Sequence, residues 1–392
     1  MRASVGAILL AIFVSVALVA CSSPPVRKPS PPRPAPVLQR YAQVEWSALP
    51  GWNSDALEEA WPALQASCRA LRFRTEWTEV CTAAQALVAP TNAIVRDYFR
   101  TYFDPYRVLN TTGWNGNPNM GLVTGYYEPL LYGDRTASSR FNAPLYATPD
   151  DLLIVDLASL YPELKGKRVR GRLEGNRVVP YYTRAELPSD PGIRGKEIVW
   201  IDGALDAFML QVQGSGRVQL PSGETIRLQY ADQNGHPFRS IGRYLVDKGE
   251  LTLEQATMPG IRAWLAANPS RLQEVLNANP SVVFFTEAPL GDPLIGPRGA
   301  QGVPLTAGRS IAVDPAFVPL GTPVFLATTF PATDLPLQRL VIAQDTGGAI
   351  AGAARADFFW GTGPSAFEQA GKMRQNGAMW ILWPKGKPLP SN

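Results

Sequence analysis

The 392-residue sequence contains a single histidine, His236. Ser-His-Asp and Cys-His catalysis both need a histidine base, and a multi-histidine zinc site needs several. Since His236 lies in a polar segment, we expect it to be an ordinary loop residue. The groups left for acid–base chemistry are Asp, Glu, Lys and Tyr, and we expect neither a metal site nor a cofactor.

Cysteine is also scarce, with three residues. The first, Cys21, directly follows the apolar run of residues 5–20, which is shorter than the roughly 20 residues of a spanning helix. This run ends in Leu-Val-Ala-Cys at residues 18–21, a small-residue cleavage site that resembles a bacterial lipobox. We therefore expect residues 1–20 to be a signal peptide and Cys21 to be lipidated. A plain signal peptide cut elsewhere is the alternative.

The other two cysteines are Cys68 and Cys81. A secretory signal directs them to an oxidising compartment, where a disulfide across such a short loop is expected. Two free buried thiols are the alternative.

Residues 24–36 are dense in proline, and this composition favours an extended spacer. We expect residues 21–40 to form a lipidated tether. Ser22 is not the aspartate that retains enteric lipoproteins at the inner membrane, so the predicted location is the outer membrane, facing the periplasm.

A strong charge of one sign is missing as well. There are 37 Lys and Arg against 33 Asp and Glu, a formal net charge of +4, and the basic residues are spread along the chain. Nucleic acid is therefore not indicated as a partner. The mild positive charge is compatible with an anionic polymer such as murein or with a membrane surface, and it selects neither.

The folded part begins near residue 41 and is too long for one typical core, which predicts about two domains. Over residues 46–106, apolar residues such as Trp61 and Leu64 recur at helical spacing. Over residues 121–228, short alternating runs broken by proline and glycine predict strands in a small barrel or sandwich.

Apolar and polar residues alternate over residues 206–217. This pattern predicts a strand with Gln211 and Gln213 on its outer face. The Gly-Ser-Gly around Ser215 then exposes the backbone. Amides and exposed backbone groups suit recognition of acetamido and hydroxyl groups. A hairpin with solvated glutamines is the alternative.

Three aspartates follow strand-like or aromatic segments near the C-terminus. The β-branched run before Asp345 predicts a buried strand, and Gly347 and Gly348 allow a turn or the close approach of a ligand. Asp314 ends another such run, while Asp357 precedes three aromatics that predict a loop wall of ring faces. Acids among aromatics indicate a sugar cleft with carboxylate catalysis. Three independent turn aspartates are the alternative.

An ordered set of segments resembles the membrane-bound lytic murein transglycosylase A family. These segments are residues 124–129 (Thr-Gly-Tyr-Tyr-Glu-Pro), 212–216 (Val-Gln-Gly-Ser-Gly), 234–242 (Asn-Gly-His-Pro-Phe-Arg-Ser-Ile-Gly), 279–285 (Asn-Pro-Ser-Val-Val-Phe-Phe), 345–350 (Asp-Thr-Gly-Gly-Ala-Ile), Asp357 and 361–364 (Gly-Thr-Gly-Pro). The resemblance implies a lytic transglycosylase that cleaves the β-1,4 bond between N-acetylmuramic acid and N-acetylglucosamine of peptidoglycan. It implies a non-hydrolytic reaction that leaves 1,6-anhydromuramic acid ends.

The same resemblance implies the fold class, which is mainly β with N-terminal helices. It implies a catalytic double-psi β-barrel domain, with helices, at residues 41–125 and 272–392. A second, smaller β-barrel domain is expected as an insertion at residues 126–271, with a groove between the two domains.

The catalytic acid of the family falls on Asp357, and the other two acids of the module fall on Asp345 and Asp314. Groove positions that bind substrate fall on Thr124, Gly125, Tyr126, Gln213 and Ser215. The implied mechanism uses Asp357 first as an acid, toward the leaving O4, and then as a base, toward the C6 hydroxyl. Burial or a neighbouring carboxylate would have to raise its pKa.

The implied partners are peptidoglycan glycan strands and, through the lipid anchor, the outer membrane. Proteins of cell-wall synthesis or division are possible partners that the sequence leaves open. One alternative function is a hydrolytic muramidase with Asp345 as base or nucleophile, and another is a non-catalytic peptidoglycan-binding lipoprotein.

Overall fold

The computed structural model describes residues 39–110, 113–164, 169–292 and 295–390. The predicted signal peptide, Cys21 and nearly all of the predicted tether lie outside these residues. In the part of the chain that the structure describes, no helix combines the length and apolarity needed to cross a bilayer.

Most of the regular structure is β-sheet, as the sequence predicts. The strands are β1 (Tyr41–Gln43), β2 (Phe103–Val108), β3 (Gly121–Glu128), β4 (Leu130–Asp134), β5 (Phe141–Tyr146), β6 (Leu153–Ile154), β7 (Arg170–Glu174), β8 (Arg177–Pro180), β9 (Glu197–Asp202), β10 (Ser215–Gln219), β11 (Thr225–Gln233), β12 (Val283–Ala288), β13 (Ser310–Val313), β14 (Pro323–Thr329), β15 (Pro336–Asp345), β16 (Ala356–Thr362) and β17 (Arg374–Pro384).

Helices occupy the N-terminal part and the middle of the chain, and one more lies near the C-terminus. They are α1 (Trp61–Ala70), α2 (Thr78–Ala86), α3 (Asn92–Tyr102), α4 (Ala204–Gln213), α5 (Ile241–Asp247), α6 (Met258–Ala267), α7 (Leu272–Asn277) and α8 (Gly363–Lys372). The first three confirm the helical pattern predicted over residues 46–106. In α3 the buried residues Val95, Tyr98 and Phe99 recur three and four positions apart, so one face of the helix enters the core.

The strands form two large sheets and a small one. The first sheet has the order β1-β2-β17-β14-β15-β13-β16-β3, and β3 also pairs with β17. The second sheet has the order β12-β11-β10-β4-β9-β5, and the small third sheet has the order β6-β7-β8. β3 is the last strand in this order, and it pairs with β17 as well as with β16. The hydrogen bonding therefore runs from β17 through the sheet to β3 and back to β17.

The largest core lies between helices α1 to α3 and the first sheet. Trp52 packs edge-on against Phe99 of α3 and Phe325 of β14, with ring centroids 5.9 and 5.5 Å apart. Burial of an aromatic side chain of this size stabilises the fold by about 1.5–3 kcal/mol. A disulfide joins Cys68 of α1 to Cys81 of α2, with 5.2 Å between their Cα atoms.

The predicted strand over residues 206–217 is wrong, because residues 204–213 form helix α4 and only residues from Ser215 onward are extended. The alternating pattern also fits a helix that is covered on two sides. Leu205 and Phe208 pack with helices α5 to α7, whereas Ala207 and Leu210 pack against the second sheet. A helix buried on two sides has no single apolar stripe, so periodicity alone does not separate it from a strand here.

A buried cluster of charges joins the two large sheets. Glu128, the last residue of β3, has a fully buried side chain that accepts from Arg217 of β10 at 2.8 Å and from Arg227 of β11 at 2.7 Å. A buried carboxylate is tolerated only when it is paired in this way. Glu128 therefore fixes the first sheet to the second beside the end of β3.

Candidate active site

A groove with a cavity volume of about 640 Å³ is lined by residues of both large sheets. Its lining includes the sequence-predicted residues Thr124, Gly125, Tyr126, Gln213, Ser215, Asp345 and Asp357. Asp314 is not part of the lining. A second cavity of about 470 Å³ lies against Asp55, Glu59 and Arg309, and it contains none of the predicted residues.

Asp357 lies opposite Thr124 on a neighbouring strand. β16 pairs in parallel with β3 so that the two residues are register partners, and the Thr124 hydroxyl donates to Asp357 Oδ1 at 2.6 Å. Asp357 is therefore inside a strand, and the predicted loop wall is wrong. The aromatic residues after it enter cores on both faces of the strand, Phe358 in the large core and Phe359 in the cluster around Tyr126, and burial on both faces favours a strand.

Arg355 holds Thr124 from the other side. Its Nη2 donates to Thr124 Oγ1 at 2.9 Å, and its Nη1 donates to the carbonyls of Leu122, at 3.3 Å, and Ala356. A guanidinium has no acceptor, so the Thr124 oxygen accepts from Arg355 and its one proton points to Asp357. Oδ1 of Asp357 is thereby an acceptor, and a proton carried by this carboxyl belongs on Oδ2.

Sequence reasoning missed Arg355. The signal that could have found it is its position two residues before Asp357, because residues two apart on a strand face the same side.

The environment of Asp357 favours its protonated form. Burial is the largest effect and raises the pKa of Asp357; Arg355 and the Thr124 hydrogen bond lower it, and the charge of Asp345 raises it again. Burial also lowers the pKa of Arg355, with Asp357 opposing that change. A carboxyl whose pKa is raised is suited to general acid catalysis.

Asp345 lies at the end of β15, as the sequence predicts. Its Oδ2 accepts from the Tyr126 hydroxyl at 3.0 Å, and its Oδ1 accepts from the backbone N–H groups of Ala300 and Thr346, each at 2.9 Å. Burial, and then the charges of Asp345 and Asp357, raise the pKa of Tyr126 well above its usual value. Tyr126 therefore stays a neutral donor, close enough to both acids to be influenced by each.

Asp314 stabilises the segment between β15 and β16. Its Oδ1 accepts from the N–H of Ala316 at 3.0 Å, and its Oδ2 accepts from the N–H of Gly352 at 2.7 Å. Gly352 has a φ of +101°, which only glycine adopts without strain. The structure thus brings Asp345 and Asp357 together at the groove and leaves Asp314 behind the loop that joins their strands.

Gln213 and Ser215 lie where α4 gives way to β10. Gly214, with a φ of +79°, ends the helix, and the side-chain oxygen of Gln213 accepts from the N–H of Tyr127 at 3.1 Å. Gln211 is buried, and its side-chain oxygen accepts from Arg184 at 2.9 Å, so the alternative of solvated glutamines does not hold for it.

His236 contacts the backbone through its Nε2, 2.7 Å from the carbonyl oxygen of Tyr181, and it is not part of the groove lining. Among the described residues, no group of three or more His, Cys, Asp and Glu side chains is placed to hold a metal ion.

Known protein families and structures resemble this chain over most of its length. Residues 122–286 match the family described as the MltA specific insert domain, and residues 309–383 match the 3D domain. The membrane-bound lytic murein transglycosylase A of Escherichia coli (strain K12) is 31% identical over 279 residues, which cover 68% of this chain and 67% of the relative.

Two solved structures extend the likeness to the fold. The crystal structure of MltA from Neisseria gonorrhoeae in its monoclinic form is 38% identical, with a TM-score of 0.75, and the match covers 89% of this chain and 93% of that chain. The structure of E. coli MltA with bound chitohexaose is 25% identical, with a TM-score of 0.65, and the match covers 88% and 95% of the respective chains.

Proposed function

Since this chain belongs to the membrane-bound lytic murein transglycosylase A family and is a peptidoglycan lytic transglycosylase, we propose that it cleaves glycan strands without water. The bond cleaved is the β-1,4 bond between N-acetylmuramic acid and N-acetylglucosamine, and the product carries a 1,6-anhydromuramic acid end. The observation that carries this proposal is a groove-lining Asp357 whose pKa is raised by burial and which no histidine assists.

In the proposed reaction, Asp357 acts twice. Its Oδ2 proton passes to O4 of the leaving N-acetylglucosamine as the bond from O4 to C1 breaks. The C6 hydroxyl of the muramic acid then attacks C1, and its proton returns to the Asp357 carboxylate. Proton and bond counts balance without water. An intramolecular hydroxyl has an effective concentration of up to about 10⁵ M in well-oriented systems, so holding the sugar in place is the main task of the protein.

Thr124 and Arg355 are positioning residues in this scheme. They keep Oδ1 of Asp357 as an acceptor, so the proton leaves from Oδ2 in the first step and returns to Oδ2 in the second. The positive charge of Arg355 also opposes the effect of burial on the pKa of Asp357. Asp357 can therefore ionise in the first step and be present as a carboxylate for the second proton transfer.

Asp345 and Tyr126 stabilise the reacting sugar in this scheme. The Asp345 carboxylate lines the groove and offsets the positive charge that develops at C1 in an oxocarbenium-like transition state. The Tyr126 hydroxyl holds that carboxylate in place at 3.0 Å. Asp314 supports both acids indirectly, through the loop containing Gly352.

The hydrolytic alternative requires Asp345 to activate water or to attack C1 itself. Each of its oxygens already accepts a hydrogen bond from a fixed donor, Tyr126 on Oδ2 and the N–H groups of Ala300 and Thr346 on Oδ1. Hydrogen bonds from fixed donors spread the charge of a carboxylate and make it a weaker nucleophile, so this arrangement favours the non-hydrolytic reaction. The non-catalytic alternative leaves the raised pKa of Asp357 without a use.

The proposal also covers the substrate and the architecture. We assign the groove to a glycan strand, as the chitohexaose bound by the E. coli relative suggests. We assign a double-psi β-barrel domain to residues 41–125 and 272–392, supported by the return of hydrogen bonding from β3 to β17. We assign an inserted smaller β-barrel domain to residues 126–271, supported by the insert match over residues 122–286.

For location, we propose an outer-membrane lipoprotein that faces the periplasm and is anchored through Cys21. The support is the lipobox in the sequence and the membrane-bound relatives.

Digestion of purified sacculi in ¹⁸O water tests the reaction. We expect muropeptides lighter by one water than those released by a lysozyme-type hydrolase, with no label at the muramic C1. Asp357→Asn removes the transferable proton and keeps the size of the side chain, so activity should fall by at least about 10²-fold while glycan binding survives. Label at C1 of the primary product would replace this proposal with the hydrolytic one.

A further inference from the structure

Arg184 is a groove-lining arginine that is held only by neutral groups. Its Nε donates to the carbonyl of Asn279 at 3.1 Å, and its Nη2 donates to Gln211 Oε1 at 2.9 Å and to the carbonyl of Ser281. Its guanidinium stacks on the ring of Phe208, 4.7 Å from the centroid. Burial lowers the pKa of Arg184 to about 10, and no nearby charge offsets that effect.

Three other arginines with largely buried side chains are paired with acids. Arg170 contacts Asp232 at 2.9 Å, Arg227 contacts the buried Glu128, and Arg309 contacts Asp55 at 2.9 Å. Across the described residues, no carboxylate lies within salt-bridge distance of Arg184. Because a charge removed from water costs free energy unless it is paired, Arg184 stands out as a cation that lacks its anion.

A second arginine that lines the groove, Arg298, also has no acidic partner among the described residues. Arg298 also lines the cavity and is exposed; its Nη1 donates to the carbonyl of Gly302 at 3.0 Å, and no acid of the described part of the chain forms a salt bridge with it. The groove acids Asp345 and Asp357 are engaged by other donors.

We propose that Arg184, together with Arg298, forms an anion subsite of the groove that binds carboxylates carried by substituents of the glycan. The inference rests on the proposed function, because it assumes that a glycan strand occupies the groove. Nη1 of Arg184 has no hydrogen-bond acceptor among the described residues and can donate to a carboxylate oxygen, while Nε and Nη2 keep their contacts to the protein. In peptidoglycan this chemistry has two sources, the acidic residues of the stem peptide and the free lactyl carboxylate of muramic acid from which the peptide has been removed.

The experiment measures binding to the inactive Asp357→Asn protein, so that glycans stay intact. Three glycans are compared: peptide-bearing strands, amidase-stripped strands with free lactyl carboxylates, and uncharged chitohexaose. Adding Arg184→Gln should weaken binding of at least one carboxylate-bearing glycan by about tenfold or more, the value of a charged hydrogen bond, and leave chitohexaose unchanged.

The pattern of loss identifies the source. A loss confined to peptide-bearing strands assigns the subsite to the stem peptide, and a loss confined to stripped strands assigns it to the lactyl group. An equal loss for chitohexaose, or no loss for any glycan, overturns the proposal.

Control variants separate charge from folding. Arg184→Lys keeps the charge and should retain part of the selectivity, while Arg72→Gln removes one exposed arginine outside the groove and should change nothing. If thermal unfolding shows that Arg184→Gln does not fold, Arg298→Gln decides, since its exposed side chain has one backbone contact. It must then weaken carboxylate-bearing glycans selectively, and otherwise the subsite is refuted.

Failure of the proposed function has a different signature. If the wild-type protein releases no anhydro-muropeptides from sacculi, the cleavage proposal fails, whereas discrimination between charged and neutral glycans in the binding assay still decides the subsite.

Discussion

The hydrogen bond from Thr124 to Asp357 predicts a shift in the pH profile of cleavage. Thr124→Val replaces the hydroxyl by a methyl group of similar size and removes the 2.6 Å bond to Oδ1. That bond favours the ionised form of Asp357 and lowers its pKa, so removing it should raise the pKa. Since the acid must be protonated at the start of the cycle, the fall in activity at high pH should move to higher pH.

The magnitude follows from the difference between the two protonation states. A hydrogen bond to a charged group contributes about 1.5–3 kcal/mol, and one between neutral groups about 0.5–1.5 kcal/mol. The difference, about 1–1.5 kcal/mol, corresponds to roughly one pH unit. Arg355 and Asp345 remain in the variant, and their opposing influences on Asp357 are retained. The exposed Arg374, the register partner of Thr124 on β17, is also unchanged.

The assay is the pH dependence of kcat/KM on soluble peptidoglycan fragments, followed by release of anhydro-muropeptides. Thr124→Ser keeps the hydroxyl and should reproduce the wild-type profile, which makes it the matched control for the Thr124→Val variant. A Thr124→Val profile that keeps the wild-type alkaline limb, or moves it to lower pH, refutes the assignment of Asp357 as the acid tuned by Thr124.

Four further predictions follow from other features. Asp357→Asn should raise the free energy of unfolding at pH 7 but hardly at pH 4, as urea titrations would measure, because an acid whose folded-state pKa is raised contributes stability that is lost as pH rises. Cys68→Ala with Cys81→Ala should cost about 3 kcal/mol, the chain-entropy value for so short a loop, and the unreduced wild-type protein should resist alkylation. Cys21→Ala should abolish acyl labelling; labelling that persists contradicts the lipobox. Glu128→Gln should destabilise the fold by about 3–5 kcal/mol in thermal or urea unfolding, because it leaves buried arginine charge without its partner.

Local sequence patterns predicted single elements better than their arrangement. The β-branched residues before Asp345 correctly placed it at a strand end, and helical spacing correctly placed the N-terminal helices. Helix α4 was missed because it is buried on two sides, so its apolar residues form no single stripe that would distinguish a helix from a strand. Asp357 was assigned to a loop because aromatic residues beside glycine look the same whether they line a surface or fill two cores.

The contacts that make the site are long-range. Thr124 and Asp357 are 233 residues apart, and Tyr126 and Asp345 are 219 apart. No local period encodes the parallel pairing of β3 with β16, so only the family resemblance suggested that these residues meet. The family resemblance assigned no function to Arg184 or Arg355. Their proposed roles follow from the groups that surround each guanidinium in the structure.

The buried carboxylate of Glu128 also bears on how the groove admits its substrate. Moving the two large sheets apart at this point would separate one anion from Arg217 and Arg227 inside the protein, where water cannot compensate either side. The cluster therefore resists separation of the two sheets at this point, and the spacing of the groove walls beside it is set when the chain folds. A polymer that enters the groove therefore meets walls whose spacing beside the end of β3 is already fixed before it binds.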